Sequence, residues 1–330
     1  MTTYYADFDL ATGDNDGTTA ANAWKTFADV IAGSNGTAPA AGDTVLCKGT
    51  DTLAATVTVN LDGTYNGGYI KFIGVDASWA NVGGSTRAVL DANGGGFSCM
   101  TFNGAGYIWM ENFRLTNTSK AVGKNGVDYV TSYSDNNIWV NCVADNCYVG
   151  FQGTGYGRYL TFIKCLAHTN ASTGFQIKYA DYKFCRAHSN AGHGFNVNFG
   201  ITLSCIAHDN GGDGFYSYTN YSPINCVAYG NTGDGFDFPF ASCVCQLVGC
   251  RVTNNAVGIN VSANLRASLF YYYGDNTTET AGGYDEILND GASTITLNGT
   301  DTDEGFVDPA NDDYNLASGA TYRRVAVTIP

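Results

Sequence analysis

The chain has 330 residues, among them 42 glycines and 22 tyrosines, and its 30 acidic and 16 basic side chains give a formal charge of −14. That balance argues against nucleic acid and anionic membrane surfaces as partners, because phosphate recognition needs a basic patch that so few cations do not assemble. No apolar run reaches the roughly 18 residues of a membrane span. The opening Met1-Thr-Thr-Tyr-Tyr-Ala-Asp-Phe-Asp lacks the basic and apolar segments of a secretory signal, so Met1 is expected to be the native start.

Residues 18–32 predict one amphipathic helix, with Thr18 or Thr19 as N-cap and Trp24, Phe27, Val30 and Ile31 on one face. Ahead of a strand-rich chain such a helix serves as a lid, so 1–43 is expected to form an N-terminal cap. From 44 onward, 56–59, 69–73, 88–90 and 107–117 alternate with the strand period, whereas 123–136 reads as a projecting loop.

Between Cys142 and Gly258 one phrase recurs six times. Its full form, Cys-x-Ala-x-x-Asn-x-x-x-Gly-Phe, is written at Cys165–Phe175, Cys185–Phe195, Cys205–Phe215 and Cys226–Phe236. Two flanking copies are one residue shorter, with Asn146 and Asn254 at the asparagine position. Successive cysteines lie 23, 20, 20, 21 and 24 residues apart. A period near twenty, with alternating apolar residues and glycine at a fixed offset, predicts a solenoid whose coils are short strands joined by turns. Coils stack at about 4.8 Å, so the Cys, Phe and Asn positions each become a ladder. The expected β-helix spans 44–262, with regular coils over 138–262. Past it, 263–330 is expected to close the stack or make a contact surface, with a last strand at 293–297.

These repeats resemble the right-handed parallel β-helix family, the pectate-lyase-like superfamily. Gly13-Asp-Asn-Asp-Gly17, Ala23-Trp24-Lys-Thr-Phe27 and Ala41-Gly42-Asp43-Thr44-Val45 are similar to the entry sequence of its bacterial and phage members, and Phe306-Val-Asp308-Pro309 through Leu316 to their exit. The fold class implied is all-β, a right-handed parallel β-helix solenoid with an N-terminal capping helix. The activity stays open, since the family includes polysaccharide lyases, hydrolases, epimerases, tailspikes, adhesins and non-catalytic virion proteins.

The resemblance puts a catalytic groove on the outer face of the strand after each Gly-Phe step. By alternation that face presents Gln152, Gln176, Asn196, Tyr216, Asp237 and Asn260 in one row, with Lys178, Asn198 and Tyr218 beside it. Asp237 and Lys178 are its one acid and one base, separated by about 14 Å at the coil spacing, too far for concerted chemistry. Asp209, Asp213 and Asp234 read as turn residues. The expected contact set is therefore Gln176, Asn196, Tyr216, Tyr218 and Asp237, for a glycan or a protein partner.

Eleven cysteines, one per coil in the repeats, read as reduced packing thiols, and the local cluster Cys243, Cys245 and Cys250 does not have zinc spacing. His168, His188 and His208 share one offset and read as a structural stack. No cofactor is expected, apart from calcium if the chain is an enzyme. The face without a catalytic pair, the signal-less Met1, the reduced thiols and the resemblance to phage members together lead to the expectation of a non-catalytic phage virion surface protein, a capsid decoration or tail component made in the host cytoplasm. By analogy with phage members it is a homotrimer that contacts capsid or tail proteins, with cell-surface polysaccharide as a further partner. The competing readings are a polysaccharide lyase, hydrolase or tailspike-type depolymerase, and a secreted adhesin or carbohydrate-binding module.

Overall fold

The structure, a computed structural model, describes residues 1–83, 86–130, 134–153, 159–219, 221–239, 247–248 and 250–260. It adds, as backbone alone, residues 244–246 and 261, which complete the strands Val244–Leu247 and Ile259–Val261, and the strands Arg266–Leu269, Tyr272–Asp275, Ile287–Asn289, Phe306–Asp308 and Asp313–Leu316. Cys243 and the expected strand at 293–297 lie outside the described residues, as does the side chain of Cys245. The chain divides into two units, Met1–Asp181 and Tyr182–Pro330.

Each unit is an all-β parallel solenoid with three strands to a coil. In the first unit one coil reads Ile138–Val140, Val143–Asp145 and Phe151–Gly153, and each strand pairs in parallel with its counterpart a coil later: Leu160–Ile163, Leu166–His168 and Phe175–Ile177. In the second unit the third sheet runs Phe195–Val197, Phe215–Tyr216, Phe236–Phe238, Ile259–Val261 and Ile287–Asn289. A short antiparallel pair, Phe306–Asp308 with Asp313–Leu316, lies within the exit sequence.

The ladders follow from stacking like on like. Phe151 and Phe175 stack 5.0 Å apart with nearly parallel rings in the first unit, and in the second Phe195, Phe215 and Phe236 stack at 4.9 and 4.8 Å. The amide of Asn190 donates to Asn210, Asn210 to Asn231, and Asn231 to Asn255, at 2.8–2.9 Å. The ladder residue in the last copy is thus Asn255, not Asn254. Asn254 stands at φ 53°, in the left-handed region. The other short copy behaves alike: Asn146 is at φ 53°, and the N–H of buried Cys147 donates to Asn170. Every regular coil of the second unit spends a left-handed residue at this corner, and Gly230, without a Cβ, fills it most cheaply.

Two expected elements differ. The helix over 18–32 is broken into a 3₁₀ turn, Ala20–Asn22 capped by Thr19, and an α-helix, Phe27–Ala32 capped by Thr26. Trp24 lies between them because its N–H donates to Tyr5 and its carbonyl accepts from Asp7, which draws its backbone into a bridge with Ala6. Thr3–Asp7 is itself a strand paired with Thr44–Lys48, so the solenoid sheet begins inside the span assigned to the cap. The loop expected at 123–136 contains a strand, Val127–Tyr129, paired on both sides. Its core is anchored by buried Tyr129, whose hydroxyl accepts the Trp139 indole N–H at 2.6 Å.

Candidate functional site

In each coil of the second unit the Gly-Phe step sits between two outward positions, one just before the glycine and one just after the phenylalanine. The later positions are in register as Asn196, Tyr216, Asp237 and Asn260. The earlier ones are His193, Asp213, Asp234 and Val257, linked coil to coil by backbone hydrogen bonds from Gly194 to Asp213 and from Gly214 to Asp234. The lattice brings Asp213, Asp234 and Asp237 together, with carboxylate oxygens all within 4.8 Å of one another.

The surroundings of the three acids differ. Asp213 accepts the backbone N–H of Asp234 at 2.7 Å through Oδ1, and its Oδ2 lies 3.0 Å from Nδ1 of His193. Asp237 is only 9% exposed, and its Oδ1 is buried without a hydrogen-bond partner. Burial, then the charges of Asp213 and Asp234, push its carboxyl up to about 7, against a smaller opposing effect of His193. Burial and Asp213 also raise Asp234, while hydrogen bonds from Asn260 and Val257 act the other way. Three like charges in a half-buried space cannot all ionise cheaply, so the cluster keeps a proton near neutrality. His193 stacks on Tyr216 at 4.5 Å, and Tyr218 meets Tyr216 edge-on at 4.7 Å.

The expected row is confirmed in register within each unit, but the face is not short of acids. Asp213 and Asp234 are turn residues as read, yet their side chains converge on Asp237. The signal was present in Asp213-Gly-Phe followed a coil later by Asp234-Gly-Phe-Asp237. The row also starts earlier than expected, since Asp128 pairs in register with Gln152, which pairs with Gln176. Oδ1 of Asp128 is buried without a partner, and burial raises its carboxyl. Lys178 is exposed and belongs to the first unit, whereas Asp237 belongs to the second.

The donor set of the acid cluster is also suited to a hard divalent cation. Carboxylate oxygens bind calcium at about 2.3–2.6 Å, so oxygens within 4.8 Å of one another can share one ion, and the unpartnered Oδ1 of Asp237 is an open ligand. The histidine offset is structural: His188 and His208 stack at 4.8 Å, and Arg186 donates to Nε2 of His208. The nine described cysteines are free and buried.

No family model matches the sequence, and no curated protein matches it. Solved structures do. The pectate lyase Pel9A superposes with a TM-score of 0.66 at 18% identity, over 99% of this chain and 92% of that one. A rhamnogalacturonan lyase gives 0.63 at 15%, over 93% and 91%. ORF18 of Geobacillus virus E2 gives 0.52 at 13%, over 99% and 76%. The fold these structures share with this chain is the parallel β-helix.

Proposed function

We propose that this chain cleaves a glycan by general acid catalysis, with Asp237 as proton donor and Asp213 and Asp234 as the partner carboxylates. The reading is carried by the convergence of three carboxylates on one outer face, one of them nine-tenths buried. A protonated acid beside ionised ones is the pairing that glycoside hydrolysis requires. The Asp237 carboxyl gives its proton to the leaving glycosidic oxygen as a neighbouring carboxylate attacks the anomeric carbon and the glycosidic C–O bond breaks; water, deprotonated by Asp237, then hydrolyses the glycosyl ester and restores both carboxyl groups. Oxygens within 4.8 Å leave no space for the attacking water that inverting enzymes hold between carboxyls about 6.5–9.5 Å apart, so retention of configuration is expected. β-Elimination fits less well, because no Lys or Arg stands on this face among the described residues of the second unit. A calcium ion held by Asp213, Asp234 and Asp237 would keep all three ionised, so it would belong with glycan binding and not with acid catalysis, supplying charge neutralisation and a ligand position for a glycan oxygen.

A second reading draws on the likeness to the Geobacillus virus E2 protein. In it the same surface holds a cell-surface glycan without cleaving it, on a phage virion, as a homotrimer attached to capsid or tail. One assay separates the two. Purified protein is incubated with a glycan panel while reducing ends are measured and product anomers are followed by NMR. The cleavage reading expects retained products, a rate that falls as pH rises through about 7, and a loss of at least about 100-fold in Asp237→Asn. Glycan binding with no reducing ends from the wild-type protein would refute cleavage and leave the binding reading.

A further inference from the structure

Resting on the assignment of a glycan to this site, we infer that the glycan carries no carboxylate groups: it is a neutral or amino-sugar chain, seated on Tyr218 and Phe199. Three observations lead there. First, the site holds unpaired acceptors. Oδ1 of Asn196, of Asp237 and of Asn260 lie in one row and are all buried without a hydrogen-bond partner, next to the carboxylates of Asp213 and Asp234. An acceptor-rich surface is completed by a ligand that brings donors, as sugar hydroxyls and amines do; a uronate carboxylate brings only further acceptors.

Second, no Lys or Arg stands on this face among the described residues of the second unit. Among the described residues of the second unit the Lys and Arg side chains are Lys183, Arg186 and Arg251, which belong to strands of the other two sheets, and Arg186 is engaged with His208. A uronate here would meet the acid cluster with only His193, already placed against Asp213, to offset it, and like-charge repulsion grows as the site is desolvated.

Third, rings are exposed where the row ends. Tyr218 is 40% exposed and Phe199 43% exposed. Both are held by their backbones, since the Tyr218 N–H donates to Asn198 Oδ1 at 3.0 Å and the Phe199 N–H donates to Thr219 Oγ1 at 3.1 Å. Tyr218 continues through Tyr216 to His193 as a connected set of rings that leads to the acids. Aromatic faces take the C–H side of a pyranose, and hydroxyl-poor, charge-free ring faces suit them best.

The test is calorimetric binding and reducing-end release with oligosaccharides of neutral β-glucan and β-galactan, of chitosan, and of polygalacturonate and alginate, each in EDTA and in calcium. The inference expects binding to the neutral or chitosan series in EDTA and none to the uronates. The neutral and chitosan arms distinguish the two sources. Tyr218→Ala should weaken binding about tenfold while Tyr218→Phe retains it, with the melting temperature of both unchanged. Equal binding of a uronate polymer in EDTA, or unchanged affinity in Tyr218→Ala, would overturn the inference. Cleavage of uronates would refute it and leave the cleavage reading standing. Neutral glycans bound but never cleaved would do the reverse, and a protein that takes no glycan at all would end both.

Discussion

Asp237 and Asp209 are the same residue type a coil and a half apart in sequence, and their surroundings differ. Asp209 turns a corner at φ 52° with a largely exposed carboxylate beside His208. Asp237 is enclosed, and its proton is held up to about 7. Because this folded value lies above the ordinary 3.8, the folded chain takes up a proton that the unfolded chain releases, and stability declines as pH rises between those values. Asp51, Asp128 and Asp234 are raised as well and act in the same direction. The melting temperature is therefore expected to rise by a few degrees on going from pH 8 to pH 5.5, with much of that slope removed in Asp237→Asn. A flat profile in the wild-type protein would contradict the burial assigned to this carboxyl.

At the scale of the element, the coil is stabilised by what stacks on it. Phe195 is fully buried, parallel to Phe215 at 4.9 Å and edge-on to Tyr182 at 5.6 Å. Phe195→Ala removes a rung that neighbouring coils cannot close over, and should cost about 3–5 kcal/mol in chemical denaturation. A near-neutral result would mean that the rungs do not pack as described. These ladders were legible in the sequence, because a residue repeated every twenty positions has nowhere to go but on top of its copy. The corners were less legible. Asn254 and Asn255 are adjacent asparagines, and periodicity alone does not say which one turns the chain and which one faces inward. The strand Val127–Tyr129 was hidden for a similar reason, being three residues among glycine and polar neighbours.

Across the whole chain, the thiols report how the solenoid is filled. The nine described cysteines are free and buried, and Cys165, Cys205 and Cys226 each direct their thiol to the carbonyl two residues back. Parallel side chains on successive coils do not present the Cβ geometry of a disulfide. Burial raises the Cys47 thiol well above its ordinary value, which further lowers its reactivity. Alkylation under native conditions should leave these nine unlabelled, and alkylation after denaturation should label all eleven cysteines of the chain. Recovery by mass spectrometry of a Cys205–Cys226 bridge would count against this packing.

The amino-acid sequence by itself determined the parallel β-helix, its ladders, its reduced thiols and the row of outward residues that contains Asp237. Each of these depends on a period or an alternation, which is a one-dimensional property of the chain. Only the tertiary structure decided that Asp213 and Asp234 meet Asp237, that Trp24 leaves its helix for a strand bridge, and that the asparagine ladder continues through Asn255. Those outcomes depend on distances between coils and on the competition for backbone hydrogen bonds at a corner. A turn aspartate is indistinguishable from a member of an acid cluster until the next coil is laid over it.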